Sequence, residues 1–304
     1  MTFFDSSIAG RGEAGSKLIL FGEHAVVHGT SAIAAGLEKG ISATATFCDE
    51  PSSIYIKEWN ISGNVSGNST LDIALKKLLN SLFVKDKNIK IIASSHIPPG
   101  GGLGSSASLG AASAIAVGRL LDLSLTSADI ENAVKESESV FHNNPSGVDA
   151  AAVLYKGLFL FNKITGVKKI EAELPELLVF DTGVSASTAQ SVDIFTDRLE
   201  NDLLGVQNLN RIKSIVEEAV NALVTKDIGT LGALMSENHE ILKWFGVSSP
   251  ELDDICNISL KYFSPGAKMT GGGRGGCAIV LVSEKTDVNG MMMEMTQKGY
   301  KRVI

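Results

Sequence analysis

One stretch constrains the fold of this chain more than any other, the glycine-rich run from Pro98 to Ala107. It reads PPGGGLGSSA, so four glycines fall within five residues. Glycines leave the backbone N–H groups uncovered, and a turn of this kind can wrap an anion such as phosphate. Residues 89–93 before it predict a strand. The Ala-rich segment 105–121 after it predicts a buried helix, whose N-terminus favours the same anion.

Comparison with known phosphate-binding motifs excludes several classes of nucleotide-binding loop. Residues 102–107 fit the dinucleotide pattern G-x-G-x-x-A and residues 271–276 fit G-x-G-x-x-G, each a weak match alone. A dinucleotide loop follows its strand directly, whereas residues 94–99 intervene here. No G-x-x-x-x-G-K-[ST], H-R-D or D-F-G motif occurs, which excludes a Walker-type P-loop and a protein kinase. An ordinary surface loop is the structural alternative. Ser105 and Ser106 argue against it, because hydroxyls at a helix start can cap the helix or reach a phosphate-bound Mg²⁺.

Composition excludes several classes of protein. The 304 residues are 44% hydrophobic and 20% charged, which is typical of one large or two ordinary globular domains. A net charge of −7 argues against nonspecific nucleic-acid binding. The three cysteines, Cys48, Cys256 and Cys277, have no metal-ligand spacing, and such sparse usage fits a reducing cytosol. Residues 1–15 lack a secretory pattern and no long apolar run occurs, so we expect a cytoplasmic protein with no membrane partner.

The first half of the chain alternates short apolar runs with turn residues. Residues 16–47 predict short strands, one of them at 25–27, joined by tight turns at Gly22, Gly29 and 36–40. Apolar spacing in residues 71–84 predicts a helix. Thr126 and Asp129 resemble a capping box that opens a further helix ending near Phe141.

The pattern changes near residue 174. A strand is predicted at 177–180, followed by helical stretches at 191–226, 228–244 and 249–262. Two strands then flank the second glycine loop, and a helix at 286–298 precedes a short last strand. We therefore expect domains at 1–174 and 175–304, the second a two-layer α+β domain.

Four ionisable residues stand out as candidates for chemistry. Glu23 and His24 form a pair between apolar segments, where they need partners or solvent. The alternative to a functional role is a structural one, in which the two side chains are hydrogen-bonded within a turn. The absence of H-E-x-x-H excludes a zincin-type metal site. Glu138 lies near the C-terminus of its predicted helix, where a surface charge is the plain alternative. Asp149 heads an apolar segment, where a lone acid more often caps a helix than catalyses.

Three segments together resemble the motifs of the GHMP small-molecule kinases: 17–29, 98–107 and 268–277. Their order and their spread over nearly the whole chain make coincidence unlikely. Within the family, KLILFGEHAVVHG at 17–29 is most similar to the mevalonate kinases, and so are the segments 142–149 and 181–188. The resemblance implies a two-domain α+β fold of the GHMP kinase type. The N-terminal α/β domain would carry the glycine-rich phosphate loop, and the C-terminal domain would be ferredoxin-like with two layers.

The resemblance also implies roles for matching residues. Asp149 matches the catalytic aspartate that takes the proton from the substrate hydroxyl, and Lys17 matches the lysine that pairs with it. Ser106 and Glu138 match the Mg²⁺ ligands. The residues matching the ATP loop are Pro99, Gly100, Gly101, Gly102, Leu103, Gly104, Ser105 and Ser106. The residues matching the substrate pocket are Glu23, His24, Gly183, Ser187, Thr188, Gly272 and Gly273.

The implied activity is ATP-dependent phosphorylation of the primary hydroxyl of mevalonate, with Mg²⁺ and a possible homodimer. Phosphomevalonate, homoserine or sugar kinases are alternatives, and a catalytically silent nucleotide-binding regulator is the non-enzyme alternative. Segment 183–190 has no Lys or Arg, which argues against a phosphorylated acceptor. Ala186 stands where some mevalonate kinases have a basic residue, so the group that binds the substrate carboxylate is unassigned.

Overall fold

The computed structural model describes residues 9–84, 87–141, 147–185 and 188–304. For Leu154 it describes the backbone alone. Its strands are β1 (Ala9–Phe21), β2 (Ala32–Phe47), β3 (Ser53–Ile56), β4 (Ile61–Asn64), β5 (Ile89–Ser95), β6 (Gly157–Asn162), β7 (Gly166–Lys169), β8 (Leu177–Asp181), β9 (Ala267–Thr270), β10 (Cys277–Leu281) and β11 (Lys301–Arg302). Its helices are α1 (Thr70–Ser81), α2 (Ser105–Leu120), α3 (Ser127–Glu138), α4 (Val148–Leu154), α5 (Thr188–Asn201), α6 (Gly205–Thr225), α7 (Ile228–Trp244), α8 (Pro250–Lys261) and α9 (Val288–Gln297). None of these helices combines the length and the apolar character needed to span a membrane.

The first sheet has the strand order β4-β3-β5-β2-β6-β7, with β1 paired to β2. Strands β2 and β5 are antiparallel, with Ala43 opposite Ala93, while β3 runs parallel to β5. Helices α1, α2 and α3 pack on one another. Helix α2 is buried along most of its length, and its small residues allow this close packing.

The second sheet is antiparallel with the order β11-β8-β10-β9. All five residues of β10 are buried, which explains its continuous apolar sequence, CAIVL. Helices α7 and α8 pack against the edge strand β9. This arrangement of helices on one antiparallel sheet is the two-layer α+β architecture expected from the sequence.

The contacts divide the chain into two compact units. One contains residues 9–17, 36–99 and 104–156 of the described chain, and the other contains 18–35, 100–103 and the chain from Gly157 onward. The chain therefore passes from one unit to the other more than once, within β1, within β2 and around the glycine loop. The domain boundary near residue 174 stays a prediction.

Several local predictions are confirmed because their signals are local. Helix α1 begins with a capping box at Ser69 and Asp72, and α3 begins with the predicted box at Thr126 and Asp129. Helix α2 also occupies the predicted segment.

The predicted strand at residues 25–27 is wrong, because Ala25–His28 form a 3-10 helix. His24, with φ 59°, precedes it, and the Val26 N–H donates to Gly22 O. An apolar run of three residues fits a helical turn as well as a strand, and nothing in the sequence decides between them.

The predicted turn at residues 36–40 is also wrong, because β2 continues through both glycines. A Cβ on Gly36 would lie 1.8 Å from Tyr155 O, and one on Gly40 would lie 2.3 Å from Ala14 O. Gly36 thus allows the end of α4 to approach the strand closely, and Gly40 allows the same for β1.

The helical stretch at 191–226 is two helices, α5 and α6. Asp202 makes the turn between them, because its side chain accepts from Leu204 N and its carbonyl accepts from Gly205 N.

Candidate active site

The glycine loop has the backbone that its sequence predicts. Gly100, Gly102 and Gly104 have φ between 67° and 76°, a left-handed conformation that other residues rarely adopt. Gly104 is the N-cap of α2 and supplies no side-chain cap. The first N–H groups of α2 therefore have neither an intrahelical acceptor nor a capping side chain, and such groups bind anions.

Lys17 and Asp149 form an ion pair within the first compact unit. Lys17 Nζ lies 2.7 Å from Asp149 Oδ1, and the side chains are 4% and 24% exposed. Asp149 stands in the first turn of α4, and Lys17 lies in the buried part of β1. A Cβ on Gly104 would lie 2.8 Å from Lys17 Cγ, so the lysine stem passes directly against the start of α2. A partly exposed carboxylate is thus fixed by a buried ammonium beside a helix start that has no side-chain cap.

Ser106 and Glu138 form a further polar contact within this unit. The Ser106 hydroxyl donates to Glu138 Oε1 over 2.9 Å. Glu138 is buried, so the alternative of a surface charge is wrong. Burial, together with the negative charge of Asp149, raises the pKa of Glu138 to about 8.

These two side chains fit a magnesium ion. Both are hard oxygen donors, and Mg²⁺ takes few protein ligands because it keeps several waters. A cation would also offset the burial and the repulsion that raise the pKa of Glu138. The described part of the chain has no cluster of three or more His, Cys, Asp or Glu side chains that could hold a metal by itself.

An apolar cleft opens beside Ser106, a feature that the sequence did not reveal. The hydroxyl of Ser113 on its wall is buried and has no hydrogen-bond partner among the described residues. The cleft is lined by residues of α1, α2, α3 and β3 with Phe141: Ile54, Leu71, Ala74, Leu75, Leu78, Ser106, Leu109, Gly110, Ser113, Ser137 and Phe141. Its apolar lining suits the face of an aromatic group.

Glu23 forms a buried ion pair with Lys268 in the second compact unit. Lys268 Nζ contacts Glu23 Oε1 and also donates to Met269 O over 2.7 Å. Both side chains are fully buried. Burial lowers the pKa of Lys268, and the negative charge of Glu23 opposes that change. The alternative of a simple turn pair between Glu23 and His24 does not describe the site, because Glu23 pairs with a lysine of β9.

His24 is held by the second glycine loop. Its Nε2 lies 3.0 Å from Gly272 O, and its ring stacks on Phe195 at 5.5 Å. A Cβ on Gly272 would lie 2.6 Å from Thr188 Oγ1, so the loop and the start of α5 touch. The predicted substrate residues His24, Thr188 and Gly272 are therefore neighbours.

The other predicted residues have different surroundings. A Cβ on Gly273 would lie 2.0 Å from Val247 O, so this glycine serves close packing. The Gly183 N–H donates to Asp181 Oδ1 over 3.0 Å in the turn after β8. Ser187 and Ala186 lie outside the described residues.

Sequence reasoning missed Lys268 and Phe195. Lys268 stands between Ala267 and Met269 in an apolar strand, and a buried lysine needs a partner, so the signal was present. Phe195 carried no signal, because one aromatic residue on an amphipathic helix predicts only a core position.

Two family models match this chain. "GHMP kinases N terminal domain" matches residues 69–157, and "GHMP kinases C terminal" matches residues 218–301. A mevalonate kinase of Methanocaldococcus jannaschii is 32% identical over 291 residues, which cover 90% of this chain and 92% of the relative. The chain belongs to the GHMP kinase family. It is therefore a kinase.

Solved structures agree with the family assignment. The crystal structure of L. major mevalonate kinase in complex with R-mevalonate has a TM-score of 0.82 and 27% identity, covering 96% of this chain and 94% of that one. Lactococcus lactis galactokinase complexed with galactose has a TM-score of 0.78 at 18% identity, covering 99% and 94%. This GHMP kinase thus has the two-domain fold of its family, as the sequence predicted.

Proposed function

We propose that this GHMP kinase transfers the γ-phosphoryl group of ATP to the primary hydroxyl of mevalonate and forms 5-phosphomevalonate. The similarity to mevalonate kinases over nine-tenths of the chain supports the choice of substrate. The Lys17–Asp149 ion pair is the observation that supports phosphoryl transfer, because this reaction needs a fixed carboxylate that can accept the hydroxyl proton.

In the proposed reaction, Asp149 orients the hydroxyl and accepts its proton as the new O–P bond forms. The bond to the leaving oxygen of ADP breaks in the same step. Lys17 holds Asp149 in position, and its positive charge favours the transferring phosphoryl group. The N–H groups of the glycine loop and of the α2 start bind the phosphate oxygens.

We assign the Mg²⁺ site to Ser106 and Glu138. A Mg²⁺ ion held by these two side chains would neutralise negative charge on the phosphate groups during transfer. We assign the adenine to the apolar cleft beside Ser106, where Ser113 can hydrogen-bond a ring nitrogen. Glu23, His24 and Thr188 are the proposed mevalonate contacts. The cytoplasmic location and the homodimer stay predictions.

A substrate panel tests the proposal. Purified protein with Mg-ATP is offered mevalonate, phosphomevalonate, homoserine and galactose, and ADP release is measured. We expect turnover with mevalonate to exceed that with every other acceptor by at least about 100-fold in kcat/KM. Preferred turnover of another alcohol would overturn the substrate assignment. Absence of turnover with every acceptor would favour the silent regulator.

A further inference from the structure

A hydrogen-bond chain in the second compact unit leads from α8 to the Glu23–Lys268 pair. His239 of α7 is buried and lies at its centre. Its Nδ1 accepts from the Met269 N–H over 3.3 Å, and its Nε2–H donates to Asp253 Oδ1 over 3.1 Å. One imidazole thus connects strand β9 to helix α8.

Strand β9 needs such a partner. It lies at the edge of its sheet, so the N–H of Met269 on the side away from β10 has no ladder acceptor. The carbonyl of the same residue accepts from Lys268 Nζ over 2.7 Å. His239 therefore binds the backbone N–H of Met269, and Lys268 binds its backbone carbonyl.

The Asp253 end of this hydrogen-bond chain is also fixed in position. Asp253 accepts from the Ser248 hydroxyl over 2.6 Å and pairs with Lys243 Nζ at 2.9 Å. With these partners the carboxylate has little freedom to rotate. It fixes the tautomer of His239 that leaves Nδ1 free to accept.

We infer that His239 is a positioning residue for the acceptor site, acting through Met269 on Lys268 and so on Glu23. The inference rests on the proposed function, because it assumes that Glu23 contacts the acceptor. Loss of the imidazole would free β9 to shift, and the carboxylate of Glu23 would move with the lysine that holds it. None of these residues belongs to the phosphate loop, although Gly102 of that loop packs against Thr270 at the end of β9. We therefore expect ATP binding to change less than acceptor binding.

His239→Leu and His239→Gln are the test variants. Leu removes both hydrogen bonds, whereas Gln has an amide oxygen to accept from Met269 and an NH₂ to donate to Asp253. We expect His239→Leu to raise the acceptor KM at least about 10-fold, with the KM for ATP changed less than about twofold. His239→Gln should restore most of the acceptor affinity.

Leu231→Ala is the matched control for lost stability. Leu231 is equally buried on α7, eight residues and so about 12 Å along the helix from His239. We expect it to lower Tm without changing the ratio of the two KM values. If His239→Leu does not fold, Asp253→Ala replaces it, with a smaller rise of the acceptor KM expected.

Three results would each overturn the inference: equal changes in both KM values, the same ratio change in Leu231→Ala, or no rescue by Gln. Wild-type protein is assayed first, and the variants are then assayed with the alcohol that it phosphorylates. A wild-type preference for another alcohol therefore counts against the proposed function and not against the role of His239.

Discussion

Gly104→Ala is the substitution whose consequence can be worked out most fully from the structure. The new Cβ would lie 2.8 Å from Lys17 Cγ, whereas carbon atoms in contact lie about 3.5–4.0 Å apart. The lysine stem must therefore move by about 1 Å, and its ammonium is the group that holds Asp149. A displacement of that size near a reacting group lowers kcat by about 100-fold.

The same substitution also strains the backbone, so its control must have equal strain. Gly104 has φ 73°, where a residue with a Cβ costs about 1–2 kcal/mol. Gly166, the first residue of β7, has φ 74° and no heavy atom within 4 Å of the added Cβ. Gly166→Ala should lower the free energy of unfolding by a similar amount and leave kcat unchanged.

Urea unfolding and steady-state kinetics measure the two effects. We expect both alanine variants to lose stability and only Gly104→Ala to lose about 100-fold in kcat. In a Lys17→Met background, adding Gly104→Ala should lower kcat by less than about threefold. Equal kcat values for the two glycine variants, or a full further loss in the Lys17→Met background, would refute the reasoning.

Three further predictions follow from the same structure. Ser113→Leu fills the apolar cleft, and we expect it to raise the KM for ATP at least about 10-fold with the acceptor KM unchanged, measured by steady-state kinetics. Lys268→Met leaves Glu23 buried without its ammonium, so urea unfolding should show a loss of about 3–5 kcal/mol that Glu23→Gln in the same chain partly restores. Burial would raise the pKa of Asp253, but hydrogen bonds from His239, Ser248 and Lys243 outweigh it and lower that pKa. The carboxylate therefore stabilises the fold above about pH 4 and loses this effect as the pH falls further, so the Tm difference between wild type and Asp253→Asn should shrink in acid. A constant difference would contradict the assignment.

The sequence predicted those features that depend on neighbouring residues. The capping box at Thr126 and the helix after the glycine loop follow from spacing within a few residues, and both are present. Gly36 and Gly40 were misread because a glycine marks a turn or a close approach equally well. Only the tertiary packing decides which applies, because the end of α4 approaches Gly36 and β1 approaches Gly40.

The candidate site, too, could be predicted from the sequence only in part. The roles of Lys17 and Asp149 followed from the family motifs, and the structure places their side chains 2.7 Å apart. The burial of Glu138 could not be predicted, because its helix leaves neighbouring residues exposed and tertiary packing decides which face is covered. The position of Lys268 in an apolar strand indicated that it needs a partner, but the sequence could not show that this partner is Glu23, because the two residues are distant in the chain.

The central claim is that Asp149 accepts the proton of the primary hydroxyl of mevalonate during phosphoryl transfer. The most direct test incubates wild type and Asp149→Asn with mevalonate and Mg-ATP, and identifies the product by phosphorus NMR. Mevalonate also carries a tertiary hydroxyl, so the position of the phosphate is informative. We predict that wild type forms only the 5-phosphate and that Asp149→Asn forms it at least about 100-fold more slowly. It should bind ATP as tightly as wild type does. Phosphate on the tertiary hydroxyl, or an equal rate in Asp149→Asn, would contradict the account.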